Sequence, residues 1–375
     1  MNKYYIIAGE ASGDVHAANL MKRLKARDNG AVFRFWGGDR MAREGGEPVR
    51  HITELSFMGF WEVLVNLKPI LRNLRFCKQD ILAWKPDVLI LVDYPGFNLR
   101  IAEFAHKRGI RVVYYISPMI WAWKESRIKK IKRSVDRMLV ILPFEKDFYA
   151  RLNYPVSFPG NPLLDEIAPV RNDPGFEQFR EAHDLSDKPI VAVLPGSRKQ
   201  EISRKLGNMA AMAAFFPDYQ FVVAAVSAHD KEFYLQYAGN ANVFLVYDQT
   251  YPLLANAEAA LVASGTAALE TALFNVPQVV CYKANKISYQ IARLLVKVKY
   301  ISLVNLIMDK PVVREMIQDE FNREALRDEL DRLLYNPAYR SRMQDDYLQL
   351  ENMLGGEGAS DRAAREITEF IGMKG

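Results

Sequence analysis

Short segments that are apolar from end to end recur along the first part of this chain. The clearest is VLILV (88–92), and similar runs occupy 3–8, 32–36, 112–116 and 138–142. Strands without polar alternation are typical of parallel sheets that helices cover on both faces. Amphipathic segments of helical spacing lie between them, at 17–26, 70–84 and 101–107. The alternation predicts a doubly wound α/β domain.

The same alternation restarts after a segment rich in proline and glycine. Residues 154–175 carry five prolines and two glycines, which suits a linker between domains. Apolar runs then resume at 190–194, 221–225, 243–246, 259–263 and 279–282. We therefore predict two Rossmann-like domains, 1–165 and 166–355, with a cleft between them and a hinge in the linker.

The chain after Val313 is highly charged and predicts helices. A glycine-rich break, GGEG (355–358), precedes a last short helix that Ser360 is expected to cap. This segment, 356–375, is expected to complete the first domain or to pass to another subunit.

Cysteine, histidine and apolar patterns exclude several classes of protein. The 375 residues include two distant cysteines, Cys77 and Cys281, and five histidines without ligand spacing, so we expect no disulfide framework and no metal. The first apolar run is too short for a signal peptide, and no run reaches the roughly 20 residues of a membrane span. A cytoplasmic protein is expected.

The first predicted strand leads into AGEASGD (8–14). Glycines after a parallel strand allow a ligand to approach the backbone, and the following helix offers free N–H groups. Two acids in this loop would repel phosphate, so Glu10, Ser12 and Asp14 suit the hydroxyl groups of a sugar. Simple helix capping explains the same residues.

Asp93 follows the apolar strand 88–92 at the same edge of the predicted sheet. Partial burial would raise its pKa and make it a general base. The other interpretation is an aspartate that hydrogen-bonds the turn before Pro95 and Gly96.

Two loops of the second domain suit a nucleotide diphosphate instead. Gly196, Ser197 and Arg198 join a strand to a helix, which combines N–H groups with a guanidinium. Ser264, Gly265 and Thr266 follow another strand, and Glu270 lies one turn later, where it suits a ribose. Helix capping is the alternative at this second loop. Asn305 lies in a predicted short loop and, from the residues alone, suits a turn.

Basic and aromatic residues are concentrated in one place. Residues 124–133 hold six Lys or Arg and one Glu, a net charge of +5 that equals the formal charge of the whole chain. Such a segment beside tryptophans suits a membrane surface or an anionic ligand, although a solvated helix face is the usual explanation. The apolar segment 56–71 suits acyl chains or a buried helix. The candidate lipid contacts are Met58, Phe60, Trp61, Trp121, Trp123, Lys129 and Lys130.

The motifs together resemble one family, the lipid-A-disaccharide synthases, which are inverting glycosyltransferases of the GT-B fold. They occur in order over almost the whole chain: AGEASGD, MGFWEV, KPDVLILVDYPGFN, SPMIWAW, LPFEKDFY, LPGSR, ASGTAALE and SLVNLI. The resemblance implies transfer from UDP-2,3-diacylglucosamine to 2,3-diacylglucosamine 1-phosphate (lipid X) by a β-1,6 linkage, with release of UDP. It also implies no cofactor or essential metal, peripheral association with the inner membrane, and a homodimer with exchanged C-terminal elements. Nucleic acid is not expected as a partner.

The resemblance assigns roles to individual residues. Asp93 matches the proposed catalytic base, and Glu10, Ser12 and Asp14 match the acceptor site. The donor site is matched by Gly196, Ser197, Arg198, Ser264, Gly265, Thr266, Glu270 and Asn305. Two positions depart from the family pattern: many members have an acid at Gly96 and a histidine at Asn161.

Other functions remain open at this stage. A second GT-B enzyme, such as a UDP-GlcNAc 2-epimerase, would use water-soluble sugars. A non-catalytic sugar- or nucleotide-binding module is usually exported, and a dehydrogenase would need a GxGxxG loop after its first strand, which is absent.

Overall fold

The computed structural model describes residues 2–54, 67–285, 289–290, 293 and 298–372. Its strands form two six-stranded sheets in which every pairing is parallel. The first sheet contains β1 (Lys3–Ala8), β2 (Val32–Gly37), β3 (Glu47–His51), β4 (Val88–Val92), β5 (Arg111–Tyr115) and β6 (Arg137–Leu139). The second contains β7 (Ile190–Leu194), β8 (Gln220–Ala225), β9 (Val243–Tyr247), β10 (Ala257–Ala263), β11 (Gln278–Tyr282) and β12 (Arg314–Ile317).

Helices lie between and after these parallel strands. The first along the chain are α1 (Ala11–Arg27), α2 (Asp39–Arg43), α3 (Leu67–Trp84), α4 (Pro95–His106), α5 (Ile128–Ser134) and α6 (Glu145–Arg151). The next are α7 (Leu163–Arg171), α8 (Phe179–Ala182), α9 (Lys199–Ala210), α10 (Lys231–Ala238), α11 (Thr250–Ala255) and α12 (Thr266–Leu273). The last are α13 (Leu303–Met308), α14 (Arg323–Tyr335), α15 (Pro337–Met353) and α16 (Ala359–Gly372). The predicted doubly wound α/β fold is confirmed.

Both sheets have the same topology, although the sequence shows no internal repeat. The first runs β3-β2-β1-β4-β5-β6 and the second runs β12-β11-β10-β7-β8-β9. In each, the first strand along the chain is central, and the strand order reverses beside it, between β1 and β4 or between β7 and β10. Connections on the two sides of such a reversal leave opposite faces of the sheet, which opens a crevice at its carboxyl edge.

The chain divides into two compact units. One comprises residues 1–165 and 354–375, and the other comprises residues 166–353. The division falls within α7, so the segment 154–175, which was predicted as a linker, contains a helix.

The first sheet has a hydrophobic core on both of its faces, because strands such as β4 are wholly apolar. All five residues of β4 are buried, and successive residues belong to different clusters. Leu89 and Leu91 pack with Tyr5 and Ile7, whereas Val88 and Ile90 pack with the residues of α1. Because side chains alternate along a strand, an apolar residue is needed at every position of a sheet that is covered twice.

The C-terminal helix α16 packs against α1 within the first unit. Ala363, Ala364 and Ile367 are buried in the cluster that α1 forms on the sheet. At the edge of this contact, the Arg27 guanidinium pairs with the Asp361 carboxylate at 2.5 Å.

The N-terminus of α16 is capped by an aspartate that is distant in the sequence. The Asp165 carboxylate accepts hydrogen bonds from the backbone N–H groups of Gly358, Ala359 and Ser360, at 2.5, 3.2 and 2.7 Å. Ser360 itself lies inside the first turn, so the prediction that it caps the helix is wrong. A carboxylate from elsewhere in the chain supplies the cap, which sequence spacing does not reveal.

Three other predicted boundaries are corrected by the structure. Helix α1 begins at Ala11, inside the predicted loop, so Ser12 and Asp14 belong to its first turn. Strand β5 ends at Tyr115 because Ile116 has a left-handed φ of 65°. A strand, β12, precedes the predicted charged helices. It lies at the edge of its sheet, where the charges of Arg314 and Glu315 are tolerated, and these charges interrupt the apolar pattern by which the other strands were predicted.

Candidate active site

The turn after β1 lies against the turn after β4. Gly9 is required there, because a Cβ atom would lie 2.4 Å from the ring of Tyr94. The next residue, Glu10, stands at the N-cap position of α1, but its side chain makes no capping hydrogen bond. Its negative charge acts on Asp93 instead. The two acids that the sequence places after β1 and β4 therefore stand at one crevice.

Asp93 combines an unusual backbone with a partly buried carboxylate. Its φ is 43°, in the left-handed region, and the φ of Tyr94 is 47°. Burial raises the pKa of Asp93 to about 7, and the charges of Glu10 and Glu145 add to the rise, whereas the Tyr94 N–H opposes it by hydrogen-bonding the carboxylate. A carboxylate with a pKa near 7 is suited to accept a proton at neutral pH.

Ser12 and Asp14 have different environments although both belong to α1. Ser12 is exposed in the first turn. Asp14 is buried, and its carboxylate accepts hydrogen bonds from the N–H groups of Gly38, Arg40 and Met41, at 2.6, 3.0 and 3.2 Å. Asp14 thus holds the turn after β2 and the start of α2, and its predicted contact with an acceptor remains a prediction.

Glu145 is a buried acid that the sequence reasoning did not select. Its carboxylate accepts hydrogen bonds from the Ser117 hydroxyl, the Trp121 indole and the N–H groups of Ile141 and Leu142. Burial raises its pKa to about 7, although all four donors oppose the rise. The motif LPFEKDFY contains this glutamate, but nothing in it indicates donors from residues more than twenty positions away.

In the second unit, the turn after β7 presents a cation. Gly196 has a φ of 106°, which suits glycine. Ser197 is exposed, and Arg198 occupies the N-cap position of α9 with 60% of its side chain exposed, 3.8 Å from the Glu201 carboxylate. N–H groups at a helix start and an accessible guanidinium favour an anionic group.

The turn after β10 lies across the strand reversal from this cation. Gly265 has a φ of 144°, Thr266 begins α12, and the Ser264 hydroxyl donates to the Ile301 carbonyl at 3.2 Å. Glu270 follows one turn later. Burial raises its pKa to about 7, and the nearby Glu166 adds to the rise, whereas a hydrogen bond from Tyr251 opposes it.

Asn305 is not in a loop, so that prediction is wrong. It lies in α13, and only 1% of it is exposed. Its amide nitrogen donates to the Val313 carbonyl and to Glu315, each at 2.9 Å, and its oxygen accepts from the Val313 N–H at 2.9 Å. These bonds join α13 to the segment that enters β12, and the predicted contact with a donor remains a prediction.

The side chain of Asn161, the residue that the resemblance places where many family members have histidine, is also hydrogen-bonded within the protein. It is buried, its amide donates to the Ile141 carbonyl at 3.2 Å, and its oxygen accepts from the Leu163 N–H at 3.0 Å. Asn161 therefore stabilises the start of α7.

The predicted lipid contacts divide into three groups. Met58, Phe60 and Trp61 lie outside the described residues. Trp121 faces inward and donates to Glu145 at 3.2 Å, and Lys130 pairs with Glu103 at 3.1 Å. Trp123 and Lys129 are exposed.

The exposed Trp123 ring is flanked by cations. The Lys124 ammonium lies 4.3 Å and the Arg127 guanidinium 5.2 Å from its centre. Among residues 2–54, 67–285, 289–290, 293 and 298–372, no helix is long and apolar enough to cross a membrane. The same residues include no group of three acids, histidines or cysteines that could hold a metal ion.

Solved structures share this architecture at low sequence identity. The UDP-GlcNAc 2-epimerase of Neisseria meningitidis, solved with UDP-GlcNAc bound, superposes with a TM-score of 0.70 at 13% identity, over 98% of this chain and 100% of that one. The kitacinnamycin glycotransferase gives 0.68 at 16% identity, over 99% of each chain. These likenesses concern the fold alone, and they confirm the predicted GT-B-like fold class with two α/β domains.

Sequence relatives are much closer and identify the family. A family model described as lipid-A-disaccharide synthetase matches residues 4–367. Lipid-A-disaccharide synthases from Myxococcus xanthus and Geobacter sulfurreducens are 40% and 36% identical, over 98% and 99% of this chain and 97% and 98% of theirs. The chain therefore belongs to the lipid-A-disaccharide synthase family of glycosyltransferases.

Proposed function

We propose that the chain joins two diacylated glucosamines, with Asp93 as the general base. The Asp93 carboxylate takes the proton from the 6-hydroxyl of 2,3-diacylglucosamine 1-phosphate. The hydroxyl oxygen bonds to C1 of UDP-2,3-diacylglucosamine while the bond from C1 to the diphosphate breaks, and UDP leaves with the electron pair. One displacement inverts C1 and gives the β-1,6 linkage.

The single observation that carries this proposal is the environment of Asp93. It follows the central strand β4 at the strand reversal, its carboxylate is partly buried beside Glu10, and its pKa is raised to about 7. A base must be deprotonated at the working pH and still basic enough to accept a proton, and a pKa near neutrality meets both needs. Glu10 and the exposed Ser12 are suited to orient the sugar hydroxyls.

The second unit supplies groups for the leaving diphosphate. Arg198, the glycine turn before it and the N–H groups of α9 would stabilise the negative charge that develops on UDP. The turn after β10 would hold the rest of the nucleotide, with Glu270 near the ribose. This chemistry needs no cofactor, and the UDP-sugar is a substrate.

The test is release of UDP and of a tetraacyl disaccharide phosphate from the two diacylated sugars. Replacing Asp93 with Asn should lower kcat about 10²–10⁴-fold, the usual contribution of a general base. Asp87→Asn is the matched control, because Asp87 lies exposed before the other end of β4, where its carboxylate accepts a hydrogen bond from the Lys3 N–H. Near-normal turnover by folded Asp93→Asn would exclude Asp93 as the base. UDP-GlcNAc in place of the acylated donor tests the 2-epimerase alternative.

We also propose that the protein binds the inner-membrane surface from the cytoplasm through Trp123 and its basic neighbours. An indole flanked by cations suits the headgroup level of an anionic bilayer. Trp123→Ala should weaken co-sedimentation with vesicles that contain anionic lipid. The control is Phe215→Ala, an exposed ring with Arg327 beside it at 5.8 Å but outside the basic segment. Equal binding by both variants would contradict this surface.

The homodimer with exchanged C-terminal elements remains a proposal that rests on the family resemblance. The relevant element is α16, which here packs on α1 of the same chain. Measurement of molecular mass in solution tests it.

A further inference from the structure

The backbone that carries the proposed base adopts a conformation that side chains seldom allow. Asp93 and Tyr94 are consecutive non-glycine residues with φ values of 43° and 47°. Left-handed residues of this kind persist only where surrounding contacts hold them, and they are concentrated at functional sites. The contacts that hold this turn are therefore of interest in themselves.

Two buried side chains converge on the Asp93 carbonyl oxygen. The Tyr114 hydroxyl, from β5, donates to it at 2.5 Å, and the Asn98 amide, from α4, donates to it at 2.8 Å. The Asp93 N–H donates in turn to the Tyr115 carbonyl at 3.2 Å. The peptide groups on both sides of the Asp93 Cα are thus held by the protein, which sets the direction of the carboxylate.

Asn98 also joins the strands that border the crevice. Its amide nitrogen lies 3.2 Å from the Val92 carbonyl and 3.4 Å from the Ile7 carbonyl, at the ends of β4 and β1. Three carbonyl oxygens around one nitrogen identify it as the donor end of the amide. Asn98 is completely buried, and its own oxygen has no hydrogen-bond partner in the described part of the chain. Burial of that unpaired oxygen is a cost to folding, which the contacts of the nitrogen must offset.

We propose that Tyr114 and Asn98 are positioning residues that hold the Asp93 carbonyl, and with it the left-handed turn that directs the Asp93 carboxylate toward the acceptor hydroxyl. The inference rests on the proposed role of Asp93. Neither side chain needs to touch a substrate, because each acts through the backbone of the base. A displacement of about 1 Å at a reacting group lowers a rate up to roughly 100-fold, so loss of one of two such bonds should be visible in kcat.

The test compares two tyrosines of one strand. Tyr114→Phe removes the hydroxyl that holds Asp93. Tyr115→Phe removes a hydroxyl on the opposite face of the sheet and keeps the backbone carbonyl that accepts from the Asp93 N–H, and both residues are fully buried. The two changes are chemically identical. Melting temperature and circular dichroism establish that each variant is folded, and kcat, both KM values and the pH profile of kcat are then measured.

We expect Tyr114→Phe to lower kcat about tenfold while both KM values stay within about twofold, because the turn loosens but the binding groups remain. The acid limb of the profile should move to lower pH, because a carboxylate that swings toward water loses part of the burial that raises its pKa. Among the residues that the structure describes, the charged and titratable groups that face it are Glu10 after β1, Glu145 on α6, and Tyr94 and Tyr114. All of these except Tyr114 are unchanged in the variant. Tyr115→Phe should leave kcat and the acid limb where they are.

A folded Tyr114→Phe protein with wild-type kcat and a wild-type acid limb would overturn the inference. Asn98→Ala supplies a second variant with a larger expected loss, and Tyr114→Phe decides the matter if that protein does not fold. Failure of the inference is distinguishable from failure of the proposed function. If Asp93→Asn is inactive while Tyr114→Phe is normal, only the positioning role is lost; if Asp93→Asn is active, the base assignment fails and the positioning role fails with it.

Discussion

The two crevices of this protein share one topology and present different charged groups. In the first unit, the turns after β1 and β4 present Glu10 and Asp93, and the charge of the buried Glu145 also acts on Asp93. In the second, the turn after β7 presents Arg198 at the start of a helix, and Glu270 lies beyond the turn after β10. Strand order creates each crevice, and a few residues after the strands decide whether it suits a proton transfer or an anion.

Glycine serves the two crevices for different reasons. At Gly9, a side chain would collide with the ring of Tyr94, so the requirement comes from a residue 85 positions away. At Gly196, the backbone itself is left-handed, with a φ of 106°, and the residue needs glycine whatever lies nearby. A similar glycine after a strand therefore indicates a close approach in one unit and a turn geometry in the other.

The largest effect is expected at the cation of the second crevice, and the contrast between the crevices would fail if Arg198 were dispensable for activity. Arg198→Ala should lower kcat/KM for the UDP-sugar about 10²–10³-fold, the usual effect of removing a group that stabilises transition-state charge. Arg198→Lys should recover only part of the loss, because an ammonium cannot form the bidentate contact. Steady-state kinetics with varied donor measure both variants.

The control for this prediction lies on the same helix. Arg204→Ala removes an equal charge about 9 Å from the helix start and should leave donor kinetics unchanged. Equal effects of the two substitutions would mean that α9 contributes only general positive charge.

A smaller effect is expected at the acids of the first crevice, on the pH dependence of kcat. Because the Asp93 pKa is raised to about 7, its carboxylate becomes protonated as the pH falls through that value, and kcat should decline with it. Glu10→Gln removes one negative charge beside Asp93, which lowers the Asp93 pKa and should move the acid limb roughly one pH unit lower. The pH dependence of kcat between about 5 and 9 gives the measurement, which spans the range of a shifted carboxyl.

Asp87→Asn again serves as the control, since its charge lies at the far end of β4. An acid limb that stays in place in Glu10→Gln would show that Glu10 and Asp93 do not interact as the crevice geometry implies.

The sequence could place a site residue only where that residue comes soon after the end of a strand. Glu10 and Asp93 come immediately after buried strands, so their position at the sheet edge follows from the apolar pattern alone. Asp14 and Asn305 are also polar residues that the sequence selects, but the fold turns their side chains toward backbone groups of the protein. Local sequence does not distinguish a side chain that faces a crevice from one that supports the backbone, because both need a hydrogen-bonding group.

Glu145, Tyr114 and Asn98 could not be selected from the sequence for a related reason. Tyr114 is an apolar-pattern residue of β5, and its hydroxyl meets Asp93 only because β5 pairs with β4. Glu145 stands in the first turn of a helix, where acidic residues are common, so its sequence position is ordinary. Its four hydrogen-bond donors come from two separate loops.

By itself, the sequence determined the architecture: two series of apolar strands and amphipathic helices, whose side chains must be covered on both faces, allow few arrangements other than parallel sheets. It also determined which charge stands at each strand end. The tertiary structure decided which polar groups face the crevice, which support the backbone, and which raise the pKa of Asp93. Periodicity is a local consequence of backbone geometry, whereas hydrogen bonding and burial depend on residues that only the folded chain brings together.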